Sequence, residues 1–270
     1  MSFFTSLSGL RNAETDLRVI SNNIANAETA GFKKSNAQFS DLVATSVNTD
    51  PRTTPGIGAT VSAITQDFGL GQLEQTGRVL DVAINGDGFI ATADSISGDI
   101  TFTRNGNLQL KATGELQDAS GNSVQAFPVD ANGDPTSATP SNVVVPITNT
   151  AGSALSSISI DARGIVGATY SDGTSEPVAK IALASFAATG GLRAIGQSKW
   201  EATADSGAPQ YGEPGVGNFG QMISGSLERS NVDLAEEMIS LLTAQRNFQA
   251  NARAIDTATA ISQTVLNLQR

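Results

Sequence analysis

VISNNIANAETAGFKK, residues Val19–Lys34, is the stretch on which the architecture turns. Asn22, Asn23 and Asn26 fall inside one helical pattern. Asn is a poor helix former, because its amide competes for backbone hydrogen bonds. A lone soluble domain gains little from such a segment. Gly31 is placed to end the helix, with Lys33 and Lys34 beyond it as a solvated exit. Toward the N-terminus, Phe3, Leu7, Leu10, Leu17 and Ile24 recur at spacings of 4, 3, 7 and 7. That is a 3-4 seam in which Glu14 and Ser21 take two places, with Ala13 and Ile20 beside it.

The other end of the chain carries a matching signal. Ser230-x-x-Asp233 and Asp233-x-x-Glu236 both resemble N-terminal caps. From there to Leu268 no Gly or Pro interrupts. Leu234, Met238, Leu241, Gln245, Phe248, Ala252 and Ile255 follow a 4-3-4-3-4-3 pattern, and Val265 and Leu268 extend the apolar side. At ~1.5 Å per residue this predicts a helix of roughly 55 Å, which suggests a coiled coil. Glu236 and Glu237 read as first-turn charges that favour the helix dipole.

Between the ends the period changes. Residues Phe32 to Val47 are ambiguous, and Phe39, Leu42 and Val43 suit a short helix. NTDPRTTPGIGA (48–59) reads as an extended linker or loop. From about Thr60 to Gln210 short strands alternate with turn dipeptides. LDVAI and FIATA flank Asn85-Gly86 and Asp87-Gly88, a hairpin signal repeated around Asn105-Gly106 and around Ser120-Gly121-Asn122. The fold class is therefore α+β, with N- and C-terminal helices forming a coiled coil and an antiparallel β-rich middle domain. The expected division is a helix at 1–30, a connecting segment at 31–71, a β-rich domain at 72–211, a second connection at 212–229 and a helix at 230–270.

Composition excludes most chemistry. The chain has neither Cys nor His. Thiol nucleophiles, disulfides, imidazole bases and the usual zinc, copper or haem ligands are thus absent. A net charge of -10 argues against nucleic acid and against an anionic membrane surface. No apolar run approaches the ~18 residues of a membrane span, and the N-terminus lacks the pattern of a secretory signal. GVGNFG (Gly215–Gly220) matches a dinucleotide spacing, yet Glu213-Pro214 precedes it and Gly225 interrupts the MISGSL run after it, so a flexible turn is the better reading. Asp130-x-Asn132-x-Asp134 opens like a calcium loop, but Pro135 stands where Gly is required and Ser141 where Glu is. A sugar-binding or sugar-cleaving β domain would need clustered aromatics and two facing carboxylates; the chain has one Trp, two Tyr and no such pair. No catalytic, cofactor or metal residue is assigned, and the chain reads as a non-enzyme.

SGLRNAETDLRVISNNIANAETAGFKKSNAQFSDL, ITQDFGLGQLEQTGRVLDVAINGDGFI and GNFGQMISGSLERSNVDLAEEMISLLTAQRNFQANARAIDTATAISQTVLNL, in that order, resemble the signatures of the flagellar rod and hook axial proteins. MSFFTSLSGL, ITQDF and SNVDL with AQRNFQ are more similar to hook versions than to rod versions. The length leaves no room for the full outer domain that hook proteins usually insert in the β region, and is more typical of rod proteins. The resemblance implies terminal helices lining a central channel, a curved hollow tube that transmits torque, and export by the flagellar type III pathway without a cleaved signal. It also implies self-polymerisation and contacts with rod, hook cap and hook–filament junction proteins. The residues expected to pack between subunits are Leu7, Leu10, Leu17, Asn22, Asn23, Ile24 and Asn26, with Leu234, Met238, Leu241, Phe248 and Ile255. No cofactor, nucleic acid or membrane insertion is expected.

Overall fold

The computed structural model describes residues 2–43, 56–95 and 97–268. Two compact units divide the chain. One gathers Met1–Ala27, Lys34–Asp67 and Val232–Arg270; the other gathers Glu28–Lys33 and Phe68–Asn231.

The first unit holds two helices and a hairpin. Helix α1 spans Ser2–Ala25 and helix α2 spans Leu234–Leu268, 35 residues or about 52 Å. Asp233 caps α2: its Oδ1 accepts from the N–H groups of Ala235 at 2.8 Å and Glu236 at 3.2 Å. These are two of the donors that a helix start leaves unpaired. Strand β1 (Ser35–Val43) pairs antiparallel with β2 (Gly56–Gln66). Phe39, Leu42 and Val43 therefore lie on a strand, not a short helix. Their partners Val61, Gly58 and Gly56 stand 22, 16 and 13 residues away, which a local period cannot register. Gly56–Ala59, expected in a loop, begins β2; residues 48–55 of that stretch lie outside the described residues, as do the side chains of Val265 and Leu268.

The second unit is β-rich throughout. Its main sheet runs through strands 155–160, 165–170, 175–181, 123–128, 89–93, 100–103, 199–201 and 193–196, every neighbouring pair antiparallel. Ile90, Leu116, Val124, Val166, Ile181 and Leu183 form its main core, all at or near zero exposure. A second cluster joins Phe89, Phe102 and Trp200 to Phe68 and Phe186, with rings meeting edge to face. That geometry sets the positive ring edge against a negative face.

Four turns in this unit are built alike. Asp118, Asp130, Asn149 and Asp161 each accept from the backbone N–H groups two and four residues on, at 2.8–3.0 Å. Three residues after each stands a glycine at φ of 73–88°, the left-handed position of a type I turn with a bulge. The calcium-like Asp130 stretch is one of these, its Oδ1 engaged by its own backbone. Gly215 and Gly217 likewise sit in a turn, which leads into strand 221–224 rather than a helix.

Two expected hairpins are not formed. Strand 82–85 pairs with 221–224, and strand 89–93 pairs with 100–103, 123–128 and 183–185. Instead of closing a turn, Asp87 O accepts from Gly220 N–H at 2.8 Å, and Gly86 O from Arg104 Nη1 at 2.9 Å. At Asn105-Gly106, strand 100–103 pairs with 89–93 and strand 108–110 with 116–118. Gly106 O instead accepts from Val82 N–H at 3.0 Å. The third signal holds: Gln117 pairs with Ser123 across Gly121.

Candidate subunit-packing surfaces

The two terminal helices run antiparallel. A Cβ on Gly9 would meet the side chain of Asn251, and Asn23 hydrogen-bonds Glu237. Gly9 and Asn23 are fourteen residues apart, as are Asn251 and Glu237, so the helices keep register for about 21 Å. The buried positions of α1 are Ala13, Val19, Ile20 and Asn23, with Ala27 just past its end. Ala13, Ile20, Asn23 and Ala27 lie one place off the leucine seam. Small residues at Gly9, Ala13 and Ala27, with Ala244 buried on α2, let the two backbones approach. Leu7, Leu10, Leu17 and Ile24 are only half-buried.

Asn23 sits at the centre of a polar node. Its side chain is 1% exposed. Nδ2 donates to Ser35 O at 2.8 Å and to Glu237 Oε2 at 3.2 Å, while Oδ1 accepts from Ser35 N–H at 2.9 Å. The amide thus ties the end of α1 to the start of β1 and the first turn of α2. Both ends of this amide are occupied within the chain. Asn26 Nδ2 donates to Asn22 O at 2.9 Å, one turn back, and Asn22 is exposed. Glu237 is not merely a dipole charge: it is buried and pairs with Lys34 Nζ at 2.8 Å. Glu236, on the outside, lies 3.5 Å from the same ammonium. Beside them opens a cleft of about 340 Å³ that includes Asp16, Asn23, Lys34 and Glu237. Partial burial first, then the charge of Glu237, raises the Asp16 carboxyl above its ordinary range. Hydrogen bonding to Glu237 raises the Lys34 ammonium.

Lys33 is the larger departure from the sequence reading. It is fully buried in the β-rich unit and bonded to Glu228 Oε1 at 2.5 Å and Gly69 O at 2.7 Å. No local signal distinguished it from Lys34.

On α2, Leu234, Met238, Ile239 and Leu242 are 42–67% exposed, an apolar face over the first turns that stays open among the described residues. Leu241, Phe248 and Ile255 are half-buried. Past Asn251, α2 runs on for seventeen residues where α1 has only Ser2–Ser8 beyond Gly9, and Ile261 on that extension is 60% exposed.

Three family models match in order: the flagella basal body rod protein model over residues 4–33, the flagellar hook protein FlgE/F/G D1 domain over 83–168, and the flagellar basal body rod FlgEFG protein C-terminal model over 223–268. The flagellar basal-body rod protein FlgG of Bacillus subtilis is 35% identical over 285 residues, covering 100% of this chain and 99% of that protein. The chain belongs to the flagellar rod and hook axial family. The FlgG rod protein of Borreliella burgdorferi is 32% identical over 287 residues, and the flagellar hook protein FlgE of Escherichia coli 27% over 412, each covering this whole chain. The family's members are structural parts of the flagellum, and among the described residues no helix is long and apolar enough to cross a membrane.

Proposed function

We propose that the chain is a polymerising structural subunit of the flagellar hook, stacking helically into a curved hollow tube that transmits motor torque. The observation that carries this reading is the exposed apolar face of α2 at Leu234, Met238, Ile239 and Leu242. A second, half-exposed apolar face lies on α1 at Leu7, Leu10, Leu17 and Ile24. Unlike faces that meet in trans make a heterologous contact, which propagates into a ring or filament instead of stopping at two copies. In this tube the terminal helices form an inner coiled coil. Leu7, Leu10, Leu17, Ile24 and Leu234, with Met238, Leu241, Phe248 and Ile255, pack between subunits, and Asn22, Asn23 and Asn26 lie at the same contacts. The subunit travels by the flagellar type III pathway without a cleaved signal peptide, and meets rod, hook cap and hook–filament junction proteins.

A rod subunit is the second reading, and a specific observation favours it. The alignment to the E. coli hook protein has 412 positions, so at least 142 of them have no residue of this 270-residue chain, whereas the B. subtilis rod alignment has 285. Deleting the gene and imaging purified basal bodies by electron microscopy separates the two. A complete rod without a hook supports the hook reading; a truncated rod replaces it with the rod reading.

A further inference from the structure

Residues 28–33 belong to the β-rich unit, although α1 precedes them and β1 comes after them in the chain. They are held at Glu228 and Arg229, and Glu28 pairs with Arg229. Gly31 N–H donates to Glu228 O at 2.8 Å. Gly31 adopts φ +68°, and a Cβ there would come within 2.5 Å of Asn105 N, so the segment lies flat on the backbone of Arg104 and Asn105. Lys33 then reaches inward. Lys33 and Glu228 side chains are both at 0% exposure, and Arg104 is at 3%. Glu228 Oε1 also accepts from Gly71 N–H at 3.0 Å, and its Oε2 is 3.4 Å from Arg104 Nη1.

Charge makes this site unusual. Glu228 and Arg104 alone compensate one another; Lys33 adds a second buried cation to the same carboxylate. Arg104 shows the cost: its Nε meets no hydrogen-bond partner among the described residues, and burial lowers its guanidinium below the ordinary range despite Glu228 and Asp87. Desolvating an extra charge offsets much of what its contacts gain. The two apolar clusters of the β-rich unit contain no residue of 28–33.

We propose that residues 28–33 are a reversible strap, closed by insertion of Lys33 beside Glu228 and Arg104, which opens without unfolding the β-rich unit and closes more firmly when subunits assemble. The assembly clause rests on the polymer reading above; the strap itself does not.

Native-state hydrogen exchange of the full-length monomer tests it. The Gly31 amide is expected to exchange through a local opening insensitive to low denaturant, roughly 100-fold faster than the Val124 and Ile181 amides. Exchange of Gly31 with the same free energy and denaturant slope as Val124 overturns the strap. Two variants keep the test independent of folding failure. Lys33→Met removes the surplus charge and keeps the stem, so Gly31 protection should hold or rise. Glu228→Gln should lower it roughly tenfold or more, because two buried cations lose their anion. Equal losses in both variants would mean an ordinary salt bridge and overturn the proposal. In the polymer, Gly31 protection should rise above that of the monomer; equal protection in both overturns the assembly clause, while the monomer result stands by itself.

Discussion

The two units of this chain spend their residues in opposite ways. The β-rich unit buries large side chains completely: Ile90, Leu116, Ile181, Leu183 and Trp200 are at most 2% exposed. The helical unit buries mainly small or polar groups, Ala13, Ala27, Ala244, Asn23 and Glu237 among them, and leaves Met238, Ile239 and Leu242 more than half exposed. At about 25 cal/mol per Å² of apolar area, the first arrangement stabilises a unit by itself and the second does so weakly. Apolar area exposed in the monomer is area that another copy can cover. On the polymer reading proposed above, one unit folds before assembly and the other completes its packing during it.

The largest effect should come from charging the exposed face of α2. Met238→Asp with Leu242→Asp is expected to abolish polymer formation, scored by sedimentation, while shifting monomer stability by only about 0.5 kcal/mol, as for surface substitutions. Leu241→Asp, at a half-buried position, should also block assembly. Polymers formed at wild-type yield by either variant would remove this face from the subunit contact.

In the β-rich unit the reverse is expected. Ile181→Ala should destabilise it by about 2–5 kcal/mol, the range for truncating a fully buried aliphatic chain. Trp200 fluorescence during urea unfolding reports on this unit directly, since the chain has no other Trp. The helical signal in circular dichroism should move little. If both signals shift together, the two units unfold as one and the contrast between them fails.

Legibility in the sequence divides along the same line. Long-period signals were legible: both terminal helices, the Asp233 cap and the antiparallel β-rich middle could be read from spacing and turn residues alone. Strand pairing was not, because Gly86 and Gly106 serve close backbone approaches and not hairpin turns. The partner of strand 82–85 is 221–224, far away in sequence, and no dipeptide encodes that. The candidate surface was half legible. Apolar spacing marked Leu7 through Ile24 and Leu234 through Ile255. It could not show that the helices meet within one chain along Gly9, Ala13, Ile20, Asn23 and Ala27, since small residues carry little hydrophobic signal. The destination of the Asn23 amide and the burial of Lys33 depend on Ser35, Glu237 and Glu228, contacts that exist only after folding.

Asn23→Leu sharpens the contrast at intermediate size. It removes both bonds to Ser35 and the bond to Glu237, leaving buried polar groups unpaired at about 1–3 kcal/mol. The loss should appear in helix content and in faster exchange at the Ser35 amide, with Trp200 unfolding unchanged. Assembly should weaken as a consequence. A variant with normal helix content but defective polymers would return Asn23 to a direct role between subunits.

The smallest effect concerns pH, and its sign runs against ordinary acid denaturation. In the helical unit the groups facing Asp16 are Glu237 from α2 and Lys34 from the start of β1, with Glu236 further out. A carboxyl whose folded value lies above its unfolded value binds a proton more tightly when folded. Helix-pair stability should therefore rise as pH falls through the raised Asp16 value, and level off below the ordinary value of 3.8. Lys34 is raised above 10.5, so its contribution is constant over that window and is lost only in strong alkali. Asp16→Asn should flatten the acid-side rise and leave the β-rich unit unaffected. Ser35 amide protection measured at several acidic pH values, with and without the substitution, decides this; protection that falls with pH in the wild type alone would mean Asp16 is held ionised by Lys34 against its burial and the charge of Glu237.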